Sequence, residues 1–236
     1  MVNYKDAPWG APYAPVIAID GQAGSGKSTL ARRLSEVLNI PTLNSGLYYR
    51  AVALWVARNH FDLEDLASNE YIADMLRSLV ISVDGGRVIL GGDDVTDQLR
   101  SKEVQRVLPK VSAKPEVRSY LNELQRLWVD RYGSSIVEGR DIGTVVFPDA
   151  YFKVFLTVSS DAQRARRPEE ASVVERDLAD RKREVAPTIP ASDAVVWDTT
   201  SLSPEDVLET VQTALATKVE TICHNLSYER GERVVK

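Results

Sequence analysis

Short continuous apolar runs alternate along this chain with stretches in which apolar residues recur every three or four positions. These are the signatures of buried strands and amphipathic helices. Val16-Ile17-Ala18-Ile19 is the first run, and Leu30, Leu34 and Leu38 follow at helical spacing. A strand over Val16–Asp20 therefore leads into a helix reaching about Leu38. Pro41–Asn44 and Gly46–Arg58 repeat the strand–helix pair. The character then changes. Ile72, Leu76 and Leu79 mark a short helix, while Leu79–Val83 and Arg87–Leu90 flank Asp84-Gly85-Gly86 as a hairpin. Glycine tolerates the positive φ that such a turn needs. A hairpin interrupts parallel alternation, so residues 61–113 are expected to be an inserted subdomain. Pro115 suits the first turn of a helix whose stripe is Val117, Leu121, Leu124 and Trp128. Ser135–Val137, Phe152–Val158 and Ala194–Trp197 read as three more buried parallel strands. Ser203 and Asp206 form a capping box for a last helix with Val207, Val211 and Leu215 inward. The fold class is α/β: an open parallel sheet with helices on both faces over residues 16–216. Residues 1–15 are expected to be a flexible arm and 217–236 a polar, fraying tail.

Composition narrows the function. The 236 residues are 44% hydrophobic and 27% charged, ordinary for a globular domain with one sizeable core. A net charge of −5 argues against a nucleic-acid partner, which would call for a basic surface. No apolar stretch is long enough to cross a membrane, and residues 1–15 lack the apolar core of a secretory signal. One cysteine, Cys223, excludes an internal disulfide and suits a reducing cytoplasm. With only His60 and His224, neither a His/Cys metal site nor a Ser-His-Asp or Cys-His centre is expected.

The chemistry is written at the strand ends, where open α/β sheets bind ligands. Gly21-Gln22-Ala23-Gly24-Ser25-Gly26-Lys27-Ser28-Thr29 fits the phosphate-loop pattern between a strand and a helix. Its backbone N–H groups would cradle a polyphosphate, with the helix dipole assisting. Lys27 would reach the β- and γ-phosphates, and the Ser28 hydroxyl would hold Mg²⁺. Three further clusters follow later strands: Leu43–Arg50, Glu138–Thr144, and an arginine-rich stretch over 164–183. Each admits a plainer reading. Ser45 is placed to cap a helix, and Arg50 to lie on that helix's surface. Arg118 falls on the polar side of its helix, and Asp141 is a loop carboxylate within reach of an arginine. Asp177 and Arg181 have the spacing of a surface ion pair, whereas Arg176, Asp180 and Arg183 share one helical face.

In their order and spacing these motifs resemble the bacterial cytidylate kinase family, from about Val16 to Ala216. The resemblance rests on the phosphate loop, on Ser45-Gly46 with Tyr49-Arg50, and on Gly139-Arg140-Asp141 followed by Gly143–Ala150. It rests also on Arg183 near Ala186-Pro187, and on Asp198–Ser203. It implies transfer of the γ-phosphoryl group of ATP to CMP or dCMP with Mg²⁺, by a cytoplasmic monomer of pyrimidine metabolism. The insertion at 61–113 would be the monophosphate-binding subdomain, with a small antiparallel sheet, and 164–184 the lid. By matching position, Arg50 and Arg140 would contact the CMP phosphate. Ser45, Arg118, Asp141 and Arg183 would line the cytosine site, and Arg176 and Asp180 would hold the sugar. Arg166 and Arg167 would close on the transferring phosphate. Lys27, Arg140, Arg166, Arg167 and Arg183 are thus the residues expected at the reacting groups. The chain departs from the family at Asn44, where aspartate is usual, at Pro109, where some members have serine, and in a lid shortened between Arg167 and Arg176. Two other readings of the motifs are a phosphate-loop kinase acting on UMP or another metabolite, and a weakly catalytic nucleotide-binding regulator.

Overall fold

The computed structural model describes residues 14–59, 69–168, 173–183 and 185–229. The arm expected at 1–15 and the last seven residues of the tail lie almost wholly outside these, as does the start of the insertion.

Five parallel strands form the central sheet: β1 (Val16–Gly21), β2 (Thr42–Asn44), β6 (Ser135–Glu138), β7 (Phe152–Thr157) and β8 (Val195–Asp198). Their order is β2-β6-β1-β7-β8, so β1 is central. All of its residues are buried. Its side chains alternate between the two faces of the sheet, as strand geometry requires. Val16 and Ala18 join one core, Ile17 and Ile19 the other. The second core is closed by α1 (Lys27–Leu38) and α8 (Pro204–Glu229), through Leu30, Leu34, Val207, Val211 and Leu215. The first takes α2 (Gly46–Arg58) and α5 (Pro115–Tyr132).

The insertion comprises α3 (Asn69–Ser78), the antiparallel sheet β3 (Ile81–Asp84), β4 (Arg87–Leu90) and β5 (Asp93–Asp94), a 3₁₀ turn (Thr96–Gln98) and α4 (Lys102–Ala113). Its described residues form no separate core. Ile72, Val83, Val88 and Val104 belong to the same apolar cluster as Ala18 and Val137 of the main sheet.

Two expectations are corrected. The run at Ala194–Trp197 is not a buried strand: β8 is the sheet's edge, with Val195 and Val196 exposed at 36% and 49%. The polar tail does not begin at 217, because α8 continues without interruption to Glu229. Its capping box forms: Ser203 N–H and Oγ–H both donate to Asp206 Oδ2, and the Asp206 N–H donates back to Ser203 Oγ at 3.2 Å. The sequence reading also passed over α4, although Ser101 caps it by accepting from the Val104 N–H.

Candidate active site

The carboxyl ends of β1, β2 and β6, the N-terminus of α1 and the faces of α4, α5 and α7 (Val173–Lys182) enclose a cleft of about 910 Å³. Seven of the nine phosphate-loop residues, Ala23 to Thr29, line it. Gly21 and Gln22 lie beneath and anchor the loop to β7. The Gln22 N–H donates to the Leu156 carbonyl at 3.2 Å, and the Val158 N–H donates to Gln22 Oε1 at 2.9 Å. Only glycine fits position 21, where φ is +143° and a Cβ would stand 2.1 Å from the Leu156 oxygen.

Lys27 Nζ donates to the Gln22 carbonyl at 2.6 Å. Burial lowers its pKa to about 8, with Arg140 adding to the shift and Glu138, Asp177 and Asp20 opposing it. The Ser28 hydroxyl and the Glu138 carboxylate at the end of β6 both line the cleft beside the phosphate loop. Burial raises the Glu138 pKa, while Lys27, Ser28, Arg167 and Arg140 pull it down. Hydroxyl and carboxylate oxygens are the hard donors Mg²⁺ prefers, and Mg²⁺ takes most of its shell from phosphates and water. The Ser28–Glu138 pair therefore fits a Mg²⁺–nucleotide.

The other half of the cleft is built on arginines and aspartates. Ser45 is buried and makes no cap to α2; Asn44 Oδ1 does so instead, accepting from the Gly46 N–H at 3.0 Å. Asn44 thus belongs to the helix start rather than to a charged site. Arg50 is not a surface residue: its Nη1 reaches the Leu99 carbonyl at 3.2 Å, and it lines the cleft. Arg118 is not solvated either. It is 4% exposed and forms a buried ion pair with Asp141, also 4% exposed. Its guanidinium stands 5.4 Å from the centre of the Tyr49 ring. The carbonyl of Ser112, near the end of α4, accepts from Arg118 Nη1 at 3.1 Å and Arg183 Nη1 at 3.5 Å. Arg183 also pairs with Asp180 at 3.5 Å. Pro109 lines the cleft from α4 without a side-chain donor.

Arg140 and Asp141 follow β6, where the chain enters a π-helical turn (Ile142–Val146). Asp20, at the end of β1, holds that turn by accepting from the Ile142 and Gly143 N–H groups at 2.8 and 2.7 Å. Burial raises its pKa to about 7, against the pull of those two N–H bonds and of Lys27, and with a further push from Asp141. Gly139 is also crowded, by side chains: a Cβ would meet Ser45 Oγ at 2.5 Å and Ile142 Cδ1 at 2.7 Å.

The lid arginines divide. Both line the cleft, beside α6 (Ser160–Arg166). Arg166 is a strut: it donates to the carbonyls of Gly24 (3.1 Å), Thr199 (2.7 Å) and Thr200 (3.2 Å). Arg167 lies near Glu138. The side chain of Arg176 is outside the described residues. Asp177 does not pair with Arg181 on the surface. It is 4% exposed and bonded to Arg140, Gln163 and the phosphate loop. Asp20, Glu138, Gln163 and Asp177 are the structural partners that sequence reasoning missed. For Asp20 and Glu138 a signal existed, since a carboxylate ending a buried strand has to meet a donor.

A family model described as cytidylate kinase matches residues 17–217. The chain belongs to the cytidylate kinase family. Relatives named cytidylate kinase from Salmonella paratyphi B and Salmonella newport are each 42% identical over 211 residues, covering 83% of this chain and 92% of theirs. The family likeness thus extends well beyond the motifs, through the insertion and both layers of helices. It makes the chain a nucleoside monophosphate kinase, a phosphotransferase with ATP as donor.

Proposed function

We propose that this kinase converts CMP, and dCMP, to the diphosphates with ATP and Mg²⁺ in cytoplasmic pyrimidine metabolism, as a monomer. The observation that carries the reading is convergence: the phosphate loop, Arg50, Arg140, Arg183 and the Asp141–Arg118 pair all open onto one cleft. ATP and a monophosphate repel one another, and a protein of net charge −5 must gather cations locally to join them. In this reading the loop N–H groups and Lys27 hold the ATP phosphates. Arg50 and Arg140 hold the acceptor phosphate, for which the bidentate guanidinium fork is suited.

An oxygen of the CMP phosphate forms a bond to the γ-phosphorus as the bond to the β,γ-bridging oxygen breaks, leaving the electron pair on ADP. The attacking oxygen is already anionic, so no general base is needed, and it is no obstacle that no histidine lines the cleft among the described residues. Alignment and charge neutralisation do the work. Bound Mg²⁺ would neutralise charge on the phosphates, with Ser28 and Glu138 as its protein-side oxygens. Asp141 accounts for the base. A carboxylate accepts from the cytosine N4 amino group, whereas uracil presents an acceptor there. In this reading Arg183 and Ser45, which both line the cleft, serve the base, and Asp180 serves the sugar. In this reading Arg166, engaged on three carbonyls, shapes the ATP end of the cleft, and Arg167, which lies toward Glu138, is the lid arginine for the transferring phosphate.

A coupled assay with ATP·Mg²⁺ against CMP, dCMP, UMP and AMP tests the reading. It predicts kcat/KM at least tenfold higher for CMP than for UMP. A preference for UMP or AMP would assign the cleft to another acceptor.

A further inference from the structure

Asp177 occupies a place that the phosphoryl-transfer chemistry does not explain. It lies on α7, buried, and its carboxylate binds three separate segments. Oδ2 accepts from the Ala23 N–H of the phosphate loop at 2.8 Å and from Gln163 Nε2 of α6. Oδ1 accepts from Arg140 Nη1 at 2.5 Å. Gln163, 1% exposed, closes the circuit by donating to the Ala23 carbonyl at 3.0 Å. Both polar groups of the Ala23 peptide unit's residue are thereby tied to the lid helices.

The consequence for Arg140 is geometric. Its Nη1 is held by Asp177 and, at 3.4 Å, by the Gly21 carbonyl. Its Nη2 lies 3.8 Å from Asp180 at the cleft. One corner of the guanidinium is therefore fixed to the lid and to the end of β1, and the rest of the fork faces the cleft. Without that anchor, a partly buried arginine beside Asp177 and Asp180 has other rotamers open to it, and the distance between loop and acceptor site is no longer set. Errors of about 1 Å in such a distance cost about a hundredfold in rate.

We propose that Asp177 is a positioning residue that fixes the phosphate loop and Arg140 relative to each other, so that the two phosphates meet in line. This rests on the assignment of Arg140 to the acceptor phosphate. It concerns the base of the lid, and gives the short lid an attachment to both halves of the reaction.

The test is Asp177→Asn, which keeps the size and one acceptor but removes the charge that holds Arg140. Positioning predicts that kcat falls tenfold or more while KM for ATP changes less than threefold. In an Arg140→Ala background the same substitution should then cost less than twofold. An equal loss with and without Arg140 would overturn the proposal, as would an unchanged kcat. If the wild-type chain itself makes no CDP, or Arg140→Ala retains full activity, it is the assignment of the site that fails. Hydrogen exchange at the Ala23 amide, measured without nucleotide, reads the contact independently of activity. It should quicken tenfold or more in Asp177→Ala, which removes both acceptor oxygens, and an unchanged rate would contradict the anchor. Should Asp177→Asn not fold, Asp177→Glu keeps the charge but moves the carboxylate. Positioning predicts a tenfold loss of kcat there too, and full activity would overturn it.

Discussion

The Asp141–Arg118 pair is where selectivity and stability meet in single side chains. Both are buried, and Arg118 Nε has no partner among the described residues. Asp141→Ala would therefore strand a buried cation and confuse folding with function. Asp141→Asn keeps the shape, and it should lower the CMP-to-UMP ratio of kcat/KM about tenfold while KM for ATP stays within twofold. Unchanged selectivity would remove Asp141 from base recognition. The motif made Asp141 and Arg118 legible as candidates, but only the fold shows that they bind each other. Asp177 was misread for a related reason. Its spacing to Arg181 satisfies the rule for a surface pair, yet tertiary contacts turn it inward to Arg140. Asp20 makes a separate, pH-dependent prediction. Its pKa stands near 7 in the folded chain against an ordinary 3.8, so between those values the native state holds a proton that the unfolded chain releases. Stability conferred at low pH is then lost as pH rises from about 4 to about 7, by at most about 1.4 kcal/mol per pH unit. Denaturant titrations at pH 5, 6 and 7 should show a flatter pH dependence in Asp20→Asn than in the wild type. Parallel curves would contradict the burial argument.

Among the elements, the strand–loop–helix unit from β1 to α1 was the most legible, because its glycines, its lysine and its apolar flanks all obey one geometric rule. What the pattern does not show is how tightly the loop is seated on β7. Gly21→Ala puts a methyl group into the Leu156 carbonyl at a φ of +143°, and should cost about 3 kcal/mol or more, or abolish folding. A melting temperature within 2 °C of wild type would contradict that seating. The second helix of the insertion was overlooked because Pro109 sits inside it. Proline normally breaks a helix interior, and here the packing of Val104 and Val111 into the core overrides that preference. The last strand was read as buried from its valines alone. An edge position leaves one side of such a strand to solvent, and nothing in a four-residue run distinguishes the two.

On the scale of the molecule, the sheet order explains why distant motifs become one site. Parallel strands deliver their carboxyl ends to the same edge. The order β2-β6-β1-β7-β8 sets Asn44-Ser45, Glu138–Asp141 and the phosphate loop side by side. The insertion borders the cleft while sharing the main core; Asp177 of α7 ties that helix to the phosphate loop, and Arg183, just after α7, ties it to the end of α4. The alternation of strands and helices was enough to read the class of fold and the edge that binds ligand. It was not enough to assign each arginine. Arg166 and Arg167 are neighbours in sequence, but one is spent on backbone carbonyls and the other lies toward Glu138. The central claim is that this ring of cations brings two anions together so that a phosphoryl group passes between them. Incubation of the pure chain with Mg²⁺, CMP and ATP labelled in the γ-phosphate tests it most directly. The label should appear in CDP, and Lys27→Ala should lower that rate by at least a hundredfold. Label recovered only as inorganic phosphate, or left in ATP, would contradict the account.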